Sequence, residues 1–293
     1  MRTIFLLLLL FAAGAVGFQK APATRKVALI DKIIDTIHST ILNENRFIWV
    51  RIPEAARNVS SKKYPVMFLF DAEANFDATK NILEKLSTQS GTKTEGAVIL
   101  VGIGNIWLRY RDYSPSHIDS SSWIDAPTAK TTGGGEAFIA FLEKELLPHI
   151  EKKYPASSHR TLIGHSMGGL MVINILLKHQ QLFDKYIAID PSMWWDNNKL
   201  LNESVTILHD NIFENKSLFL AVANEPEKQM SMDQVKSDTS IKTVLIRPSF
   251  LLKDLILKNK QDELRFEWKF YKDEHHMTVN APATYDALKI ILH

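Results

Sequence analysis

The run Thr161-Leu162-Ile163-Gly164-His165-Ser166-Met167-Gly168-Gly169 constrains this chain more than any other segment. A short apolar strand leads into a Gly-x-Ser-x-Gly turn, and residues 170–177 beyond it are apolar nearly all round, as in a buried helix. A serine placed between a strand and a helix sits in a sharp, strained turn. Small residues two before and two after it let strand and helix approach closely. The hydroxyl then projects from the C-terminal edge of a sheet, and the N–H of Met167, at the helix start, can face an oxyanion. Ser166 is therefore the expected nucleophile and Met167 the first backbone donor. His165 reads as a turn residue rather than a catalytic one.

The rest of the chain supplies the sheet that such a turn requires. Strand patterns fall at 46–52, 66–70, 97–103, 161–163, 186–189, 218–223 and 265–271. Helical spacing falls between them: Phe138, Phe141, Leu142, Leu146 and Ile150 share one face, as do Tyr285, Leu288 and Ile291. Alternation of strands and helices predicts an α/β protein, a mostly parallel central sheet with helices on both faces, and the serine turn within it points to the α/β-hydrolase fold. At 293 residues a single domain over 24–293 is expected, with no internal repeat. The polar stretch 114–135 is the longest predicted loop and lies where an active-site border would. Residues 197–214 are expected to add one or two helices over the sheet edge.

The N-terminus has a different character. Arg2 precedes an apolar run, 4–16, which ends among Ala12, Ala13, Gly14, Ala15 and Gly17. A positive residue, a short apolar core and small residues describe a signal peptide rather than a membrane anchor. Cleavage is expected after Gly17, or as late as Ala23, giving an exported protein, periplasmic or secreted, with no stable membrane insertion once the signal is removed. Formal net charge is +2, from 35 basic and 33 acidic residues, which gives no electrostatic case for nucleic acid. There is no cysteine, so disulfides, thiolate catalysis and cysteine-ligated metals are excluded. No Asp/His cluster has metal-ligand spacing, and no cofactor is expected. Oligomeric state is not encoded in any pattern found.

In this fold the serine is followed along the chain by an acid and then a histidine. The late segment Asp273-Glu274-His275-His276-Met277-Thr278 offers two adjacent histidines, which spacing does not separate. For the acid, Glu225 leads, as the first carboxylate after the strand 218–223. Glu227 and Asp190, the latter ending the preceding strand, are the other candidates. A second oxyanion donor is expected just past 66–70, at Ala72 or Glu73. The segment from Asn105 through Arg109 and Arg111 to Pro115 places arginines beside aromatics, suited to an anionic or aromatic acyl group. An Arg111–Asp112 pair pinning the loop is the alternative. Trp194 and Trp195 either line a cleft or fill the gap beneath the added helices.

These pieces, in order, resemble the Putative esterase family that includes esterase D and the enterobactin-type siderophore esterases. The matching residues are Ser39, Leu42, Arg46, Pro53, Tyr64-Pro65, Asp71, Asn105, Arg109, Arg111-Asp112 and Ser114-Pro115. They continue through Gly133-Gly134, Phe138, Pro148, the serine turn, Asp190-Pro191-Ser192, Trp194-Trp195 and Glu274, His276 and Thr278. The resemblance covers roughly residues 39–290 and is closest to the siderophore-esterase-like branch. It implies that the histidine two places after a glutamate and two before a hydroxyl residue is the catalytic one, which selects His276. It also implies attack of Ser166 on an ester carbonyl of a small-molecule substrate, proton relay by His276, and orientation of His276 by Glu225. The chain departs from the family pattern in carrying Asp71-Ala72 in place of Asp-Gly, which is expected to tighten the oxyanion loop, and Val222-Ala223-Asn224 before Glu225. Transfer of the acyl group to an alcohol, or a catalytically silent ligand-binding homologue, are the alternative functions.

Overall fold

Two short, almost continuously apolar runs, Tyr64–Leu69 and Ile99–Ile103, form adjacent parallel strands buried on both faces, and the remaining sheet extends to either side of them. The computed structural model describes residues 32–57, 62–89, 97–105, 107–120, 124–224, 230–259 and 263–292. The expected signal segment, residues 1–23, lies outside the described residues. The strands are β1 (Ile33–Ser39), β2 (Glu44–Arg51), β3 (Tyr64–Leu69), β4 (Ile99–Ile103), β5 (Ala156–His165), β6 (Lys185–Ile189), β7 (Lys216–Ala223) and β8 (Leu264–Tyr271). They form one sheet in the order β1-β2-β4-β3-β5-β6-β7-β8. Pairing is antiparallel at β1–β2 and β2–β4 and parallel across the other six strands. This is the α/β-hydrolase arrangement that the alternating pattern predicts.

Successive side chains on a strand point to opposite faces, and the core divides accordingly. On one face Val66, Phe68 and Phe70 join Val101, Leu162 and the helices Gly135–Phe141, Met167–Lys178 and Arg247–Lys258. On the other, Met67 and Leu69 join Leu100, Ile163 and Phe219 beneath the helices Ala72–Gln89 and Asn280–Ile291. Burial of apolar area on both faces is the main stabilising term, about 25 cal/mol per Å² removed from water. The helix Met167–Lys178 is buried through Leu177, as its all-round apolar sequence requires.

Three expectations change in detail. β1 lies ahead of the first predicted strand; as the sheet edge it leaves Ile34 exposed, and so carries only a weak hydrophobic signal. The stretch 114–135 contains a short helix, Ala126–Ala129, capped by the Asp125 side chain, which accepts from the Thr128 N–H at 2.8 Å. The one or two helices expected over 197–214 lie within Trp195–Asp210, which is broken by a kink where Asp196, Asn197 and Asn198 take positive φ. Among the described residues no helix is long and apolar enough to cross a membrane.

Candidate active site

Gly164 is the residue that lets the serine turn close. A Cβ built there would lie 2.4 Å from the main chain of Gly168, so no other residue fits between β5 and the following helix. Ser166 takes φ 60° and ψ −121°, a conformation that costs an L-residue on the order of 1–3 kcal/mol and is held here by its surroundings. Its N–H donates to the Ile189 carbonyl at 3.0 Å, and its own carbonyl accepts from Leu170 and Ser192. Strand, helix and the loop after β6 thus all hold the turn, and the hydroxyl is left for chemistry.

His276 meets that hydroxyl. Its Nε2 lies 2.9 Å from Ser166 Oγ, and its Nδ1 lies 2.6 Å from Asp190 Oδ2. A carboxylate only accepts, so Nδ1 carries the hydrogen and Nε2 is free to accept from the serine O–H. Asp190 directly follows β6 and is buried, with φ 40°. Its Oδ1 accepts the Ala223 N–H at 2.9 Å, so one oxygen is fixed to the end of β7 while the other faces the imidazole. His275, by contrast, is exposed and bonds only within its own turn, accepting from Met277 N–H through Nδ1 at 3.2 Å.

Among the described residues the carboxylate on the histidine is Asp190, one of the three acid candidates; Glu225 and Glu227 lie outside the described residues. Asp190 stands at the C-terminal end of β6, the immediate neighbour of β5, and so lies beside Ser166 where the histidine loop arrives. Asn224, the last described residue before Glu225, supports the histidine loop instead. Its N–H donates to the Glu274 carbonyl at 2.8 Å and its Nδ2 to the Lys272 carbonyl at 3.1 Å. A sequence signal for Asp190 did exist: it is the carboxylate that ends an apolar strand and precedes a proline.

Met167 and Ala72 each begin a helix, so their N–H groups are not used by the helix itself. β3 and β5 are paired neighbours with Leu69 opposite Ile163, which brings Ala72 and Ser166 equally far past the sheet edge. A Cβ on Gly168 would lie 3.4 Å from Phe70 Cβ and 3.5 Å from Asp71 Oδ2, confirming that the two turns abut. The replacement of glycine by Ala72 is absorbed elsewhere than in the loop. A Cβ at Gly102 would lie 2.7 Å from the Ala72 methyl, so the glycine at 102 makes the room that the alanine takes.

The remaining predicted wall residues separate into two kinds. Asn105 is buried, its Oδ1 accepting from Arg46 Nη2 at 2.6 Å and its N–H donating to Glu73 Oε2 at 3.2 Å. Arg111 binds Glu44 through Nη1 and Nη2 at 3.0 and 2.6 Å and Asp112 through Nε at 2.6 Å. Trp195 is 2% exposed and donates Nε1–H to the Ser116 carbonyl at 3.0 Å. These three are built into the scaffold. Arg109 and Trp194 are partly buried, as is Arg111, whose side chain is 28% exposed against 22% for Arg109. Arg109 forks onto Asp71, with Nε–Oδ1 at 3.3 Å and Nη2–Oδ2 at 3.2 Å. Burial pushes the Asp71 carboxyl above the usual carboxylate range, and Arg109 opposes that shift. Ser192, not anticipated from sequence, places its Oγ 3.3 Å from Ser166 Oγ. Among the described residues no group of three or more His, Asp or Glu side chains has the geometry to hold a metal ion.

Comparison with known proteins gives this arrangement a family. The sequence profile of the family described as Putative esterase matches residues 39–283. The chain belongs to that family. A solved IroE-like serine hydrolase from Shewanella oneidensis superposes with TM-score 0.79 at 30% identity, over 89% of this chain and 80% of that one. The BES protein of Bacillus cereus superposes with TM-score 0.71 at 26% identity, over 89% and 96%. In sequence, the ferri-bacillibactin esterase BesA of Bacillus subtilis is 31% identical over 55% of this chain and 59% of its own, so the match spans less than two thirds of that relative. A siderophore enterobactin esterase of Emericella nidulans is 25% identical over 77% of this chain and 81% of its own.

Proposed function

We propose that this member of the esterase family is an exported serine hydrolase that cleaves carboxylic esters through an acyl-enzyme, with Ser166, His276 and Asp190 as its triad. The single observation that carries the reading is His276 bridging Ser166 Oγ at 2.9 Å and Asp190 Oδ2 at 2.6 Å. In the acylation step Ser166 Oγ attacks the ester carbonyl while its proton passes to His276 Nε2. The imidazolium that forms is stabilised by the Asp190 carboxylate on Nδ1. It then gives its proton to the departing alkoxide, which leaves as the alcohol. The tetrahedral oxyanion is met by the N–H groups of Met167 and Ala72, two helix N-termini whose partial positive charge favours it. Water, deprotonated by His276, then attacks the acyl-enzyme and releases the acid.

The relatives support a siderophore-type ester as the substrate class. Those compared in sequence are named for siderophore esters, and the partly exposed residues Arg109, Arg111 and Trp194 suit an anionic or aromatic acyl group. The apolar leader 4–16 with its small residues supports export to the periplasm or medium. Sequencing the N-terminus of the mature protein checks this: an intact Met1 in the purified native protein would remove the export reading.

A chromogenic short-chain ester tests the chemistry. Ser166→Ala is expected to lower kcat by at least about a thousandfold, the usual scale for loss of a triad nucleophile. Unchanged turnover would remove Ser166 from the mechanism. A substrate panel of catecholate siderophore, feruloyl, acetyl-sugar and simple alkyl esters then ranks specificity by kcat/KM, with the siderophore esters expected first.

A further inference from the structure

The nucleophile turn and the histidine loop, 110 residues apart in sequence, are joined by a side chain that the reaction does not use. His165 ends β5 immediately before Ser166, and its ring is largely withdrawn from solvent. Its Nε2 lies 2.9 Å from the main-chain carbonyl of His276. The two imidazoles also pack together, with ring centroids 4.7 Å apart and planes inclined by 34°. A carbonyl only accepts, so the hydrogen must reside on His165 Nε2. Burial, together with the neighbouring His276, pushes the His165 imidazole down to about 4, so the donor is a neutral ring.

The peptides on either side are tied within the loop, the His275 carbonyl accepting from Thr278 and Val279 N–H at 3.0 Å each, whereas the His276 carbonyl is held by His165 from the nucleophile strand. Asn224 ties down the histidine loop at Lys272 and Glu274, and the helix Asn280–Ile291 begins beyond it. The His276 carbonyl lies between those two anchors. An imidazole swings from its own Cα, so a drift of that peptide moves Nε2 away from Ser166. Misplacement of a reacting group by about 1 Å can cost about a hundredfold in rate.

We infer that His165 is a positioning residue: by donating Nε2–H to the His276 carbonyl, it sets the backbone from which His276 reaches Ser166. The inference rests on the triad reading above and adds a residue to it. The variants His165→Leu, His165→Asn and His165→Gln test it, because the glutamine amide nitrogen reaches about as far as Nε2 while the asparagine amide stops at the level of Nδ1. Leu and Asn are expected to lower kcat about 10- to 100-fold with KM within about twofold, and Gln to recover most of the loss. Full activity in the Leu variant, or equal loss in Gln and Leu, overturns the inference. Ser166→Ala in the same assay reports separately on the triad. Nitrogen-15 NMR of the intact wild-type protein gives a readout independent of turnover and of how the variants fold. The His165 ring is expected as the Nε2–H tautomer with a slowly exchanging proton, and an Nδ1–H tautomer or a protonated ring at neutral pH overturns the assignment.

Discussion

The serine turn and the arginine loop sit on the same edge of the sheet and are equally conspicuous in sequence, yet they are built on opposite principles. In the arginine loop the charged groups are paired chiefly with one another. Arg46 lies over the rings of Phe138 and Phe141 and donates to Glu44, Asp112 and Asn105, while Arg111 closes the same circuit onto Glu44 and Asp112. In the serine turn the backbone is strained at Ser166, and each polar side chain faces a partner that can exchange a proton with it. A dense charged motif that closes on itself is scaffold. A sparse one, held in a costly conformation with an acceptor facing a donor, is a site.

The sharpest way to break that contrast is at Asp190. Asp190→Asn keeps the oxygen that accepts from Ala223 and removes the negative charge beside His276, so kcat for ester hydrolysis is expected to fall about 10³- to 10⁴-fold with little change in melting temperature. Activity within twofold of wild type would return the acid to the segment after Asn224.

The arginine loop should respond in stability instead. Arg46→Met removes the buried one of the two guanidinium groups on Asp112, which is itself fully buried, leaving Arg111; unfolding in urea is expected to show a loss of about 3–5 kcal/mol, while the folded fraction keeps its kcat within a few-fold. Loss of turnover without loss of stability would place this network in the site.

A smaller effect separates the two regions by pH. His165 protonates near 6.5 when unfolded and at about 4 when folded, so the unfolded chain binds more protons between those values. Stability is expected to decline as the pH falls from about 6.5 to 4, by on the order of 2–3 kcal/mol, and His165→Gln should flatten that slope in denaturant titrations. An unchanged slope would remove His165 as its source.

The mildest prediction is Arg111→Lys, which gives up the two-pronged contact with Glu44. It is expected to cost about 1 kcal/mol and to leave KM within about twofold. A tenfold rise in KM for an anionic ester would show Arg111 in direct contact with the substrate.

What the sequence determined by itself was local. The serine turn is legible because strand, glycines, serine and buried helix are contiguous, and the order of strands and helices is enough to fix the sheet's class. The twin histidines were resolved only through family resemblance, and in space the reason is plain: His275 faces solvent while His276 faces Ser166. Which of the candidate carboxylates meets His276 is a matter of tertiary structure: Asp190 and His276 are 86 residues apart in sequence, and only folding brings Oδ2 to within 2.6 Å of Nδ1. Tertiary structure also decided which conspicuous side chains are open. Asn105, Arg111 and Trp195 have the composition of a binding wall, but their partners, Arg46, Glu44 and the Ser116 carbonyl, come from distant segments that meet them only on folding. Hydrogen-bonding capacity is a property of a residue, whereas whether it is already used is a property of the fold.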